Sequence, residues 1–202
     1  MTTYNLKSGF QNILRPTAYR LEQIGVTPNQ VTVAACLWSF FYSMGVFFFG
    51  NMALYYFLFP VVFFVRMAMN AIDGIIAKEK NKTSKLGAIL NEICDILSDV
   101  FLAAVFLFVS GVNSHLVWGF AFLSLFVECG GMWAYFVRGQ RSFAGPLGKS
   151  DRGYALGLMA YATAFGIVTN QPVDTFINGV LVLSLILLVV TALNRVRFAI
   201  QD

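Results

Sequence analysis

Six apolar segments, each bounded by polar or turn residues, dominate the pattern of this chain. They cover roughly residues 31–50, 53–77, 86–110, 116–137, 153–169 and 175–193. All but the fifth reach the ~20 residues that a helix needs to cross about 30 Å of hydrocarbon. The fifth reaches that length if its helix begins near Ser150. Continuous apolar runs differ from the short alternating strands of β-barrels. The pattern therefore predicts an all-α integral membrane protein with six transmembrane helices.

Ahead of the first span, apolar residues recur at helical spacing among basic ones, which is typical of an amphipathic helix in the membrane interface. These apolar residues are Leu6, Phe10, Ile13, Leu14, Leu21 and Ile24. Pro16 is expected to break or restart this helix. The alternative is an unstructured basic leader. We divide the chain into an interfacial segment, residues 1–28, and a transmembrane domain, residues 29–202.

The composition excludes a soluble globular domain. Of 202 residues, 58% are apolar and 12% are charged, and the mean hydropathy is +0.71. Soluble domains carry about 45–50% apolar and roughly 25% charged residues. The three cysteines all lie inside apolar runs, which argues against a disulfide or zinc framework.

The basic residues predict the orientation of the spans. Of the 14 Lys and Arg residues, all but Arg66 fall at the termini or in the loops on one side of the predicted bundle. The opposite loops, residues 50–52, 111–115 and 170–174, contain none. Because Lys and Arg collect on the cytoplasmic side of membrane proteins, we expect both termini in the cytoplasm.

Polar side chains gather in the second and third apolar segments. An ionisable group costs at least ~2.5–3.5 kcal/mol at mid-membrane, so such a group indicates function. Arg66, Asn70 and Asp73 share one helix face, and so do Asn91, Asp95 and Asp99, because residues three or four apart are neighbours on a helix. Oxygen donors of this kind suit Mg²⁺, Mn²⁺ or Ca²⁺. The alternative is a set of interhelical hydrogen bonds with a buried ion pair to Arg66.

The spacing of these residues resembles a family signature. The chain reads Asn70-Ala-Ile-Asp73-Gly74-Ile-Ile-Ala77-Lys78, eight residues, Gly87, three residues, Asn91, three residues, Asp95. It resembles the CDP-alcohol phosphatidyltransferase pattern, Asp-x-x-Asp-Gly-x-x-Ala-Arg, eight residues, Gly, three residues, Asp, three residues, Asp. The segment Thr27-Pro28-Asn29-Gln30-Val31-Thr32 also resembles the Pro-Asn-x-x-Thr motif of that family. The chain departs from the signature at Asn70, Asn91 and Lys78.

The resemblance implies an activity. Family members transfer a phosphatidyl group from CDP-diacylglycerol to a small alcohol and release CMP, in phospholipid biosynthesis, with Mg²⁺ or Mn²⁺ as cofactor. The implied metal ligands are Asn70, Asp73, Asn91 and Asp95, with Asp99 as an additional ligand. Asp95 is the implied catalytic base. The implied nucleotide-binding residues are Asn29, Thr32, Gly74, Ala77, Lys78 and Gly87.

A basic segment follows the fourth span and is the candidate acceptor site. Its members are Arg138, Arg141, Lys149 and Arg152. Basic side chains and free amides at a helix start bind anions, which predicts a phosphorylated acceptor such as glycerol 3-phosphate or an inositol phosphate. The alternative is ordinary positive-inside charge. The resemblance further implies a homodimer in a bacterial inner membrane, with membrane lipids and no nucleic acid as partners.

Two other functions stay open at this point. The first is a catalytically weakened relative that binds CDP-linked lipid without turnover, because Asn replaces Asp at positions 70 and 91. The second is a small cation transporter that uses Asp95, Asp99 and Glu128 as an ion path. The outer halves of the spans are almost wholly apolar, which counts against transport.

Overall fold

The structure is a computed structural model that describes residues 3–201, with side chains from residue 9 onward. Within this range the chain forms seven α-helices and one short 3₁₀ helix. They are α1 (Thr3–Gln23), α2 (Pro28–Phe49), α3 (Ala53–Glu79), α4 (Lys85–Ala104), the 3₁₀ helix (Val105–Phe108), α5 (Ser114–Arg138), α6 (Lys149–Thr169) and α7 (Asp174–Ile200). The predicted all-α class is confirmed.

Four helices are long and apolar enough to cross a membrane, namely α2, α3, α5 and α7. They correspond to the first, second, fourth and sixth predicted spans. Helix α4 carries Glu92, Asp95 and Asp99 within its 20 residues, and α6 begins with Lys149, Asp151 and Arg152. Spans at α4 and α6 therefore remain predictions.

The chain divides into two compact units, and the first consists of Met1–Phe41 and Val61–Ser98. Its apolar core joins Ala18 of α1 and Val31 of α2 to Ile72, Ile75 and Ile76 of α3. Helix α1 runs unbroken through Pro16, so the expected break is wrong, and so is the unstructured alternative. Packing of the Ala18 face compensates for the backbone hydrogen bond that a proline inside a helix removes.

Polar contacts also hold α1 against the end of α3 and the loop that follows it. Arg15 Nε lies 2.9 Å from Glu79 Oε1, Tyr19 donates a hydrogen bond to the same carboxylate, and Lys82 Nζ lies 2.7 Å from Glu22 Oε1. The hydrogen bond from Lys82 lowers the pKa of the Glu22 carboxyl below its ordinary value. These contacts place the N-terminal helix on the first unit.

The second unit consists of Tyr42–Pro60 and Asp99–Asp202. The buried residues of α7 recur every three to four positions, and its last turns bury Thr191 and Arg195. The predicted sixth span ended at residue 193, whereas α7 continues to Ile200. On α5 the buried stripe likewise includes a charged residue, Glu128. Both charges lie on core-facing helix stripes, which is why they are buried.

The loop between α5 and α6 is fixed against α7. Gly145 has φ +131°, and a Cβ atom on it would lie 2.4 Å from Thr191 Cγ2, so only glycine fits there. Two residues later the Leu147 amide donates a 3.0 Å hydrogen bond to Thr191 Oγ1. These contacts set where α6 begins, and hence where Arg152 lies.

Candidate active site

Asp73 of α3 is a buried carboxylate with a hydroxyl partner. Its exposed fraction is 5%, and the Thr32 hydroxyl on α2 donates a 2.6 Å hydrogen bond to Asp73 Oδ2. Thr32 is the last residue of the predicted Pro-Asn-x-x-Thr motif, and Asp73 is the first carboxylate of the longer signature. The structure therefore brings the two sequence motifs into direct contact.

Asp95 of α4 is held from α3 by two residues one helical turn apart. The Asn70 amide donates a hydrogen bond to Asp95 Oδ1. Arg66 Nη2 donates to the Asp95 backbone oxygen at 2.9 Å and lies 3.4 Å from Oδ1. The Arg66 side chain is 1% exposed. We call Thr32, Arg66, Asn70, Asp73 and Asp95 the aspartate site.

Arg66 was not among the predicted site residues. An arginine in an otherwise apolar stretch was the available signal, since such a charge in lipid indicates a partner inside the protein. The alternative interpretation of the sequence included a buried ion pair to Arg66. The contact between Arg66 and Asp95 is such an ion pair.

The oxygen donors of the aspartate site fit a hard divalent cation. Asp73 and Asp95 supply carboxylate oxygens. The side-chain amide of Asn70, whose nitrogen donates a hydrogen bond to Asp95, also carries a carbonyl oxygen. Asn91 lies one turn before Asp95 on α4 and is half-buried. Over residues 3–201, no three His, Cys, Asp or Glu side chains are placed to share a metal ion. Asn70 and Asn91 are the further oxygen donors next to the two carboxylates on α3 and α4.

The predicted nucleotide-binding residues lie on α2, α3 and the start of α4. No atom lies within 4 Å of a Cβ built on Gly74, so the helix surface there is open. A Cβ on Gly87 would lie 2.8 Å from Asn29 Oδ1, so this glycine allows α4 to approach α2. Ala77 and Lys78 occupy the last turn of α3, where Lys78 is exposed.

A groove of about 330 Å³ runs along the first turns of α2. It is lined by Asn29, Gln30, Val33, Ala34 and Leu37. Its surface is almost wholly apolar, although Asn29 and Gln30 line its first turn.

The second unit contains a separate set of charged residues centred on Glu128 of α5. Arg152 Nη2 on α6 lies 2.7 Å from Asp99 Oδ2 and 2.9 Å from Glu128 Oε1. The other carboxylate oxygen, Glu128 Oε2, lies 3.0 Å from Arg141 Nη2 and 3.6 Å from Arg195 Nη1. We call these five residues the arginine cluster.

Glycines on α5 make room for the arginine cluster. A Cβ on Gly131 would lie 2.9 Å from the Ser142 backbone oxygen and 3.0 Å from Arg195 Nη1. Arg195 Nη1 also donates a 2.6 Å hydrogen bond to the Val127 backbone oxygen. Arg195 was predicted as a cytoplasmic residue beyond the last span, and Glu128 was given no role as a transferase residue. A charge in the fourth apolar segment was the signal for Glu128.

The predicted acceptor residues separate into two groups. Arg141 and Arg152 both contact Glu128. Arg138 is exposed at the end of α5, donates a 2.7 Å hydrogen bond to the Phe198 backbone oxygen and lies over the Phe198 ring. Lys149 is the half-buried first residue of α6. Asp99, predicted as an additional metal ligand, contacts Arg152 in the arginine cluster.

Comparison with known proteins identifies the family. The CDP-alcohol phosphatidyltransferase profile matches residues 25–196. The chain belongs to the CDP-alcohol phosphatidyltransferase family. The resemblance read from the two motifs is therefore confirmed, and family membership makes the protein a transferase of phospholipid biosynthesis, built as a multi-pass membrane protein.

Relatives cover nearly the whole chain. It is 40% identical over 197 residues to the inner membrane protein YnbA of Escherichia coli, covering 98% of this chain and 96% of that protein. The fold is similar to that of Mycobacterium tuberculosis phosphatidylinositol phosphate synthase with CDP-DAG bound, with TM-score 0.72, 21% identity, and coverage of 95% and 98%. A second structure of that synthase, with manganese and citrate, gives TM-score 0.67, 20% identity, and coverage of 94% and 92%.

Proposed function

We propose that this protein transfers a phosphatidyl group from CDP-diacylglycerol to the hydroxyl of a small alcohol and releases CMP. The observation that carries the proposal is the placement of Asp95, which Arg66 and Asn70 hold within the family signature. The proposal includes six spans in a bacterial inner membrane, with the termini and the site on the cytoplasmic side. It also includes a homodimer.

Asp95 is the proposed catalytic base. The acceptor oxygen forms a bond to the phosphorus of the phosphatidyl group, the bond from that phosphorus to the CMP oxygen breaks, and CMP leaves with the electron pair. Asp95 takes the proton of the acceptor hydroxyl. The hydrogen bonds from Asn70 and Arg66 fix the orientation of the carboxylate while it does so.

The proposed cofactor is Mg²⁺ or Mn²⁺, with Asp73, Asp95, Asn70 and Asn91 as ligands. A divalent cation supplies Lewis-acid neutralisation of the diphosphate charge during CMP departure. The manganese in the similar synthase structure supports this choice. Asp99 contacts Arg152 at 2.7 Å, so we assign it to the arginine cluster in place of its predicted role as a metal ligand.

The CDP moiety is proposed to bind beside Asn29, Thr32, Gly74, Ala77, Lys78 and Gly87. The open surface at Gly74 allows the nucleotide to approach the α3 backbone. The groove along α2 leads from Asn29 to Leu37, and its apolar part suits an acyl chain of the donor lipid.

The acceptor is proposed to bind at the arginine cluster, with Arg138 and Lys149 as further candidate contacts. The prediction of a phosphorylated acceptor depended on Arg138, Arg141, Lys149 and Arg152. Two of these, Arg141 and Arg152, contact carboxylates of the chain itself.

The test is CMP release by the purified protein in detergent, with CDP-diacylglycerol, Mg²⁺ or Mn²⁺, and a panel of small alcohols. Metal-dependent release with one acceptor, abolished by Asp95→Asn, is the expected result. The matched control is Asp174→Asn, which removes one carboxylate at the start of α7. Metal-dependent nucleotide binding without release from any acceptor contradicts the proposal and favours the weakened relative.

A further inference from the structure

Glu128 is surrounded by guanidinium groups. Its two carboxylate oxygens contact Arg152 at 2.9 Å, Arg141 at 3.0 Å and Arg195 at 3.6 Å. These arginines come from α6, the loop after α5, and α7, so three separate segments converge on one carboxylate. Glu128 itself is 8% exposed. Convergent guanidiniums are the arrangement with which proteins hold a phosphate or a carboxylate.

This anion position is already filled by the chain. A phosphate group that took the position between the three guanidiniums would have to displace the Glu128 carboxylate. A displaced Glu128 would be a buried charge without its partners, which is strongly unfavourable. The arginines of this cluster therefore do not form a vacant anion site, because the Glu128 carboxylate already occupies that position.

The net charge of the arginine cluster also disfavours a phosphate ligand. Three guanidiniums face two carboxylates, Glu128 and Asp99, which leaves one net positive charge in place of the three that the arginines alone would give. A phosphate monoester with two negative charges would change this net charge from +1 to −1 inside a buried site.

The cluster nevertheless retains hydrogen-bond donors. Arg152 and Arg195 are each 2% exposed. Across the described part of the chain, Nε and Nη1 of Arg152 and Nε of Arg195 have no hydrogen-bond partner. Buried donors of this kind are costly unless a ligand or water accepts from them. The hydroxyl oxygens of an uncharged polyol accept such bonds without adding charge.

We propose that Glu128 is a specificity-determining residue that takes the place of an acceptor phosphate, so that the acceptor is an uncharged polyhydroxyl alcohol of the glycerol or inositol kind. The inference rests on the proposed transferase function and on acceptor binding at the arginine cluster. It replaces the phosphorylated acceptor predicted from the sequence.

The first test compares matched acceptor pairs on the wild-type protein. CMP release is measured with glycerol against glycerol 3-phosphate and with inositol against inositol 1-phosphate. We expect the uncharged member of one pair to support about tenfold faster release or more, a difference equivalent to roughly 1.4 kcal/mol. Faster release with the phosphate ester overturns the inference.

The second test needs no turnover and so separates this inference from the proposed function. Thermal unfolding of the wild-type protein is followed with inorganic phosphate and with sodium chloride at equal ionic strength. We expect the same midpoint in both, because Glu128 occupies the anion position. A specific stabilisation by phosphate overturns the inference even if no acceptor supports CMP release, an outcome that by itself contradicts only the proposed function.

The variant Glu128→Gln removes the charge and keeps the shape. We expect phosphate to stabilise this variant, and the preference between the ester and the free alcohol to move at least about tenfold towards the ester. Asp174→Asn is the matched control and should change neither, since it lies about 30 Å along α7 from Arg195 at 1.5 Å per residue. Unchanged phosphate binding in Glu128→Gln overturns the inference. If this variant does not fold, the two wild-type measurements decide.

Discussion

The aspartate site and the arginine cluster bury charge in opposite ways. In the aspartate site, Asp95 receives a hydrogen bond from the neutral Asn70 and lies 3.4 Å from Arg66 Nη2. In the arginine cluster, Glu128 is contacted by three guanidiniums, and one of these also contacts Asp99. The first arrangement suits an added cation, while the second supplies its own counter-ions. In the proposed function the first site performs the chemistry, while the second stabilises the fold and selects the acceptor.

The largest expected effect is that of Asp95→Asn on activity. Loss of the proposed base should slow CMP release by about 10²- to 10⁴-fold, the usual contribution of a positioned acid or base. Thermal unfolding should also shift to a lower midpoint, because the neutral amide removes the buried ion pair between Asp95 and Arg66, so CMP release is compared per folded protein. Activity within a few-fold of the wild type would place the base elsewhere and remove the contrast between the two sites.

Arg152→Met tests whether the arginine cluster stabilises the fold. It leaves Asp99 and Glu128 without the guanidinium that contacts both, and breaking a buried ion pair on one side costs about 3–5 kcal/mol. The measurement is the free energy of unfolding in detergent. Arg138→Met is the matched control, because an exposed arginine contributes about 0–1 kcal/mol. Equal stability of the two variants would contradict a structural role for the cluster.

Two glycines, one in each unit, should respond in opposite directions to alanine. Gly145→Ala introduces a side chain at φ +131° and against Thr191, which should lower stability by about 1–3 kcal/mol. Gly74→Ala has open space around it and should gain about 0.5–1 kcal/mol from helix propensity, while weakening the binding of CDP-diacylglycerol. Thermal unfolding and a lipid-binding titration measure the two effects. If Gly74→Ala binds CDP-diacylglycerol as tightly as the wild type does, Gly74 does not belong to the nucleotide site.

Asn70→Asp restores the family residue and tests the weakened-relative hypothesis. The substitution replaces the amide that donates to Asp95 Oδ1 with a second carboxylate, and like charges at this distance repel. We expect CMP release at saturating metal to fall about tenfold, or roughly 1.4 kcal/mol, because the hydrogen bond that orients Asp95 is lost. Asn91→Asp adds the same charge on α4 as a matched variant. A rise in activity with both substitutions would instead support a weakened relative.

The smallest effect concerns the surface contact between α1 and the loop after α3. Lys82 lowers the pKa of Glu22, so this pair stabilises the folded state above the ordinary carboxyl value of about 4.5. The contribution is lost as the pH falls through the lowered pKa. Glu22→Gln should therefore be less stable than the wild type at neutral pH, with a difference that shrinks below about pH 4.5. A difference in midpoint that is independent of pH would contradict this account.

Local spacing and hydropathy predicted much of this protein correctly. The apolar segments located α2 to α7, because a helix in lipid must be apolar along its length. The motif from Asn70 to Asp95 resembles the family signature, and its spacing of three and four residues places the polar side chains on shared helix faces. The sequence placed Thr32 and Asp73 in two separate motifs, and only the structure shows the hydrogen bond between them.

Other features depend on how distant segments pack. Pro16 disfavours a helix by itself, yet the Ala18 face packs into the core of the first unit and α1 continues. The extension of α7 to Ile200 depends on the α5–α7 interface, because its last buried residue, Arg195, contacts Val127 and Glu128 of α5.

The sequence by itself determined the helical membrane class, the family and the candidate aspartates, because each depends on composition or on spacing within one or two helices. Only the tertiary structure decided what the basic residues do. A sequence shows that Arg141, Arg152 and Arg195 are positive, but their electrostatic role depends on which carboxylates lie within 3–4 Å of them. Glu128 lies at that distance from all three, and this turns a predicted anion site into a neutralised one.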